Sequence, residues 1–332
     1  WITSKPEFVS EEAVRFLGME VKKHPKGKDA EGEVWFVTQE SYIADLLSKE
    51  EGLKEKKIPI SRDQSIMEPT QNPPTPDQIK QCQKEVGEAL WLVTRTRPDL
   101  MFGVSRMGSN ITKAAEAVLE ASKQVKGYLL RTKEEGLKYD EDHEKPIVVN
   151  AYSDASFAPI GEESHGAFVI KFNDSPIFWR SGRQSVITLS TAEAELNEIV
   201  EAMGAAESIS VIIDEIYEDV EKIAWSDSQA AVSIMTSEGG SWRTRHLRMK
   251  AAYARQAITQ GLWALNHMAG DSLVADVGTK AVSANRLETL KTLMGMGRSP
   301  KLDQKTGVAL GKESPGEPPA GRAGDAGSDR GD

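Results

Sequence analysis

"PIVVNAYSDASF", residues 146–157, decides how this chain is read. Its first five residues are apolar enough for a buried strand, yet the strand runs into Asp154. A buried lone carboxylate is costly unless a cation, a metal or hydrogen bonds compensate it. Either the strand ends and Asp154 opens a turn, or the strand delivers a carboxylate to a site. The same local text recurs at "KIAWSDSQ" (222–229), where a short apolar run again ends in Ser-Asp, at Asp227.

Between the two Ser-Asp strands lies "SHGAFVIKFNDSPIFWRSG" (164–182), a hairpin pattern with Asn173, Asp174 and Ser175 at its turn. "SVITLS" (185–190) reads as a further strand. A long helix follows from Thr191, with its apolar stripe at Leu196, Ile199, Val200 and Met203. After the second Ser-Asp strand come a helix at 228–237, another at 246–261, a strand at 262–268 and a helical end at 272–296. Strands adjacent in sequence pair antiparallel, and a right-handed crossover places the second Ser-Asp strand beside the first. Asp154 and Asp227 then meet at neighbouring strand ends. The first turn of the long helix offers Glu193 or Glu195, and "VADVGTK" offers Asp276.

Carboxylates gathered in one pocket repel and raise one another's pKa unless cations balance them. An oxygen-only donor set suits Mg²⁺ or Mn²⁺, and two such ions can clamp the attacking and leaving oxygens of a phosphodiester. The bland alternative is that each acid caps a helix or faces water.

The 332 residues are long enough for two domains. Cys82 is the single cysteine, which excludes an internal disulfide framework and a cysteine-cluster zinc site. No apolar run approaches a membrane span. The start, "WITSKPEFVSEE", has neither an initiator Met nor an apolar signal core, so the expectation is a segment of a longer, intracellular protein. The net charge of −10 comes from one region: Gln184 to Glu221 holds ten acids and no Lys or Arg. Elsewhere acids and bases balance, so basic clusters can act locally on phosphate. Arg243, Arg245 and Arg248 form the leading candidate contact, with Lys22 and Lys23 beside them.

Residues 1–140 mix strand and helix patterns. "EVWFVTQ" (33–39) reads as a strand, 58–78 as a Pro-rich loop, and three helical stretches fill 78–130. At "DEDHEK" (140–145) the character changes, and this charged joint predicts two lobes with few mutual contacts. From residue 298 to 332 the Gly/Pro/Asp-rich sequence reads as a disordered tail.

From about residue 150 to 281 the chain resembles the ribonuclease H domain of copia-type LTR retrotransposon polyproteins. "YSDASFA", the hairpin and long-helix segment, "AWSDSQAAV", "RTRHLRMK" and "LVADVGTK" follow in the family's order. Upstream, "FLGMEV" (16–21), "SYIADLL", "LWLVTRTRPDLMFGVS" (90–105) and "VKGYLLRTKEEGLKY" (125–139) resemble the end of the same family's reverse transcriptase. The resemblance implies an α/β ribonuclease H-like fold at 146–297, a five-stranded mixed sheet with flanking helices. A smaller α+β thumb- or connection-like lobe at 1–140 would precede it.

It also implies an RNA:DNA-hybrid endonuclease that hydrolyses the RNA strand with two Mg²⁺ ions, Mn²⁺ being possible. By position, Asp154, Glu195, Asp227 and Asp276 match the family's metal-binding carboxylates, and Glu195 is preferred to Glu193 because the family's ligand precedes a large apolar residue, here Leu196. Departures are Ser156 for a common aspartate, Arg248 for the Asp usual after the Arg-His pair, and Ala281 for the proline of Thr-Lys-Pro. His267 falls near a product-releasing histidine of some ribonucleases H, though its spacing to Asp276 fits poorly. The polymerase's Tyr-x-Asp-Asp motif is absent from these residues, so the fingers and palm would be partner segments upstream. The rival reading is an inactive nucleic-acid-binding remnant.

Overall fold

The computed structural model describes residues 9, 13–25, 32–140, 147–159, 163–236, 249 and 251–300. Two five-stranded sheets carry the architecture. The first is antiparallel throughout and uses β1 (Val14–Phe16), β2 (Met19–Pro25), β3 (Glu33–Thr38) and β4 (Glu135–Asp140), closed by β10 (Met296–Arg298). The β1–β2 hairpin turns at Leu17 and Gly18, both at positive φ (50° and 76°), the backbone of a tight primed turn. Between β3 and β4 lie α1 (Glu40–Leu47), α2 (Arg62–Ile66), α3 (Pro76–Val93), α4 (Met101–Asn110) and α5 (Ala115–Thr132). α3 starts where Thr75 and Gln78 exchange a reciprocal capping box ahead of Pro76.

The second sheet holds β5 (Val148–Ser156), β6 (His165–Phe172), β7 (Ser175–Arg183), β8 (Glu221–Ser226) and β9 (Ala264–His267), in the order β7-β6-β5-β8-β9. β6 runs antiparallel to both β5 and β7, β8 joins β5 in parallel, and β9 joins β8 in parallel. This is the expected α/β fold with a mixed five-stranded sheet, and the crossover does bring the two Ser-Asp strands together. Helices α6 (Thr191–Asp214), α7 (Gln229–Thr236) and α8 (Ala252–Thr259) belong to this half, and α9 (Ala284–Met294) leads into β10. The β6–β7 turn is Asn173-Asp174, and Asn173 Oδ1 also accepts from the Val148 N–H at 2.9 Å.

The predicted pair of loosely joined lobes is not what the described residues form. The described residues up to Ser299 make one compact unit. β6 explains why. Its side chains alternate between two cores: Phe168 and Ile170 pack with Leu196, Ile199 and Met203 of α6. Ala167 and Val169 join Met101, Val104, Leu129 and other residues of the N-terminal helices. "HGAFVIKF" has no polar face because neither face meets water. The close approach is enforced at Gly278, where a Cβ would lie 2.5 Å from Ala167 Cβ and 2.6 Å from Met101 Cε. Trp179 Nε1 donates to the Val93 carbonyl at 2.6 Å, and Lys171 Nζ to the Leu293 carbonyl at 2.9 Å.

Other departures have local causes. "SVITLS" forms no strand: Ile187 and Leu189 are exposed, and the third antiparallel strand is the hairpin's own second arm. The 58–78 loop contains the capped α2. The helical end at 272–296 is broken by short 3-10 turns at Gly270–Ser272 and Val274–Gly278 before α9. β4 carries no alternation that marks it as a strand. Arg298, placed in the disordered tail, pairs with Glu135 in β10, while 301–332 lie outside the described residues. Among the described residues no helix is long and apolar enough to cross a membrane.

Candidate metal centre

Asp154, Glu195 and Asp227 come together at the edge where β5, β8 and the start of α6 converge. One carboxylate oxygen from each lies within 4.8 Å of the other two. Asp154 and Glu195 are each 4% exposed. Asp154 is delivered by β5 and Asp227 by the end of β8, the parallel neighbour of β5.

At the start of α6 the two glutamates meet different neighbours. Ser190 caps the helix through the Glu193 N–H, and the Glu193 carboxylate turns back to accept from the Leu189 N–H at 2.8 Å. Glu193 is thus occupied with the helix start, and Glu195, two residues on, faces the other two acids. Glu195 Oε2 is buried with no hydrogen-bond partner among the described residues.

Burial and the neighbouring acids raise the carboxyls of this cluster. Burial, reinforced by Asp154 and Asp227, pushes the Glu195 carboxyl up to about 9. Burial likewise raises Asp154 to about 6, against the opposing pull of Lys280 and of the Thr279 hydroxyl, which donates to Asp154 Oδ2. Three converging carboxylates, one with an unpartnered buried oxygen, suit a hard divalent cation such as Mg²⁺ or Mn²⁺.

Asp276 stands apart from this three-oxygen set. It is 7% exposed and held by two cations, Lys280 Nζ at 2.5 Å and Arg286 Nη2 at 3.0 Å. Lys280 also reaches Asp154 Oδ2 at 3.7 Å, so it spans the two aspartates. Thr279 and Lys280 are site residues that sequence reasoning passed over as a family signature. The i,i+4 spacing of Asp276 and Lys280 was the available signal.

A further buried carboxylate, Glu198, went unnoticed. It lies over Gly166, where a Cβ would fall 1.7 Å from its Oε2, and beside a cavity of about 240 Å³. Gln184 Nε2 donates to it at 3.1 Å. His267 Nε2 lies 3.1 Å from the Asp227 carbonyl oxygen. Of the basic candidates, Lys23 pairs with Glu33 at 2.6 Å and Lys22 lies 4.0 Å from Glu40. Arg243, Arg245 and Arg248 lie outside the described residues.

No protein-family model matches the chain. It is 22% identical over 304 residues to the retrovirus-related Pol polyprotein from transposon RE1 of Arabidopsis thaliana, covering 87% of this chain and 19% of that protein. The corresponding polyprotein from transposon TNT 1-94 of Nicotiana tabacum is 25% identical over 214 residues, 64% of this chain and 16% of that protein. A shorter match, 30% identical over 128 residues, is to the secreted RxLR effector protein 161 of Plasmopara viticola, covering 38% of this chain and 89% of that protein. Among solved structures, RNase H1 of Halobacterium salinarum NRC-1 matches at a TM-score of 0.31 and 20% identity, over 40% of this chain and 93% of that one. A foamy viral protease-reverse transcriptase in complex with dsDNA matches at 0.38 and 11%, over 78% and 45%. At such scores the structural matches add nothing to the topology described above. The homologues that span most of this chain are the Pol polyproteins of copia-type retrotransposons, and the chain corresponds to about one fifth of the length of the RE1 relative.

Proposed function

We propose that residues 146–297 are a ribonuclease H that cuts the RNA strand of an RNA:DNA hybrid, within a polyprotein whose reverse transcriptase ends in residues 1–140. The observation that carries this reading is the buried meeting of Asp154, Glu195 and Asp227, with oxygens within 4.8 Å of one another. Homology to Pol polyproteins supports the same reading. A pair of divalent ions, when bound, would supply Lewis acidity toward the oxygens of the scissile phosphate. The chain's own residues provide the frame. Asp154, Glu195 and Asp227 would hold the ions, and Asp276, paired with Lys280 and Arg286, would be the further carboxylate in reach. The Thr279 hydroxyl fixes the Asp154 carboxylate. RNA is distinguished from DNA by its 2′-hydroxyls.

The engagement of Asp276 by Lys280 and Arg286 favours one second reading, a remnant that binds hybrid without cutting it. An end-labelled RNA:DNA hybrid separates the two. The nuclease reading expects Mg²⁺-dependent cleavage of the RNA strand, abolished by EDTA. Binding without cleavage at any Mg²⁺ or Mn²⁺ concentration selects the remnant.

A further inference from the structure

Resting on the metal-centre reading, we propose that Lys280 is the site's resident counter-cation, and that a divalent ion displaces its ammonium group as it loads. Among the described residues two cations serve this edge, and they are held differently. Arg286 is fixed: besides Asp276, its guanidinium donates to the Gly270 carbonyl at 2.7 Å and to the Asp271 carbonyl, and its side chain is 21% exposed. Lys280 has no such anchor among the described residues. Its ion-pair partners among the described residues are the carboxylates of Asp276 and Asp154, and half its side chain faces water.

A flexible four-carbon stem with an exposed flank can carry its charge out to solvent. The anchored guanidinium cannot do so without abandoning two carbonyls. Lys280 Nζ lies 3.7 Å from the same Asp154 oxygen that accepts from Thr279. An ammonium and a divalent ion sharing that carboxylate would sit close enough to repel strongly. Loading is therefore an exchange of cations. In the metal-free protein Lys280 offsets the repulsion among the acids and holds Asp276 toward itself. When it leaves, Asp276 is released toward the other three carboxylates while Arg286 keeps it in reach.

The test uses the full chain without nucleic acid and Mn²⁺ as the probe. Lys280→Met keeps the stem and removes the charge. By calorimetric titration it should bind Mn²⁺ on the order of ten-fold more tightly than the wild type, about 1.4 kcal/mol. Without metal its melting temperature should be lower by about 2–4 °C, and saturating Mn²⁺ should close or reverse that gap. A wild type that binds Mn²⁺ while Lys280→Met binds it equally or less well overturns the exchange and leaves the centre standing. A wild type that binds no Mn²⁺, with Asp154→Asn indistinguishable from it, overturns the centre and the exchange together. An independent readout needs no variant. Acetylation of Lys280, followed by mass spectrometry against the other lysines as internal controls, should speed up when Mn²⁺ is added. An unchanged rate in a protein that binds Mn²⁺ refutes the displacement.

Discussion

Glu198→Gln should stabilise the metal-free protein at alkaline pH and do nothing of the kind in acid. Glu198 is 4% exposed, and burial pushes its carboxyl from the ordinary 4.5 up to about 7, with Gln184 and Arg180 pulling the other way. Between those two values the folded protein keeps a proton that the unfolded chain has lost. Stability therefore falls as pH rises through this window, and the full cost is reached above pH 7. A gap from 4.5 to about 7 corresponds to roughly 3 kcal/mol at about 1.36 kcal/mol per pH unit. Glutamine has the same shape, retains an oxygen to accept from Gln184, and cannot ionise. The substitution should then raise stability by up to about 3 kcal/mol at pH 8 and by close to nothing at pH 4.5. Denaturant unfolding in EDTA at the two pH values measures this. A variant destabilised equally at both would show that Glu198 is held as a charged partner, and the burial argument would be wrong.

Other substitutions probe the remaining parts of the account. Asp154→Asn should leave folding intact in the absence of metal, since it removes one of the repelling charges, while hybrid cleavage falls by several orders of magnitude; wild-type activity in a cleavage assay would contradict the assignment. Arg97 and Asp99 form a fully buried pair at 2.7 Å, with Tyr128 and Thr132 completing the bonds. Arg97→Met strands the Asp99 carboxylate and should cost about 3–5 kcal/mol in chemical denaturation, whereas a loss below about 1 kcal/mol would mean water reaches the pair. Gly278→Ala forces a methyl against Ala167 and Met101. Thermal melting should show a loss of about 1–3 kcal/mol, and an unchanged melting temperature would deny the tight junction between the two halves.

The meeting of Asp154 and Asp227 was legible because its signals are local. Each Ser-Asp ends an apolar run, and the crossover rule makes parallel neighbours of the two strands that carry them. Glu193 and Glu195 were harder to separate, since they lie two residues apart near the start of α6. The capping bond from the Leu189 N–H, which occupies Glu193, is a matter of side-chain direction that helical spacing leaves open. The union of the two halves was hidden by the charged joint at 140–145, which reads as a linker. The contrary signal was the unbroken apolar run of β6, whose two faces need two covers. β10 was missed because a three-residue strand, "MGR", has too few residues to show a period. Its partner, β4, carries Gly136 and Lys138 where strand formers would stand.

The account turns on whether Asp154, Glu195 and Asp227 hold a divalent ion. Crystals of the chain soaked in Mn²⁺ and measured for anomalous scattering at the manganese edge address this directly. The account predicts a peak within coordination distance of all three carboxylates, with Lys280 moved away from Asp154. Mn²⁺ density elsewhere on the molecule, with Lys280 still paired to Asp154 and no peak among the three acids, would contradict it.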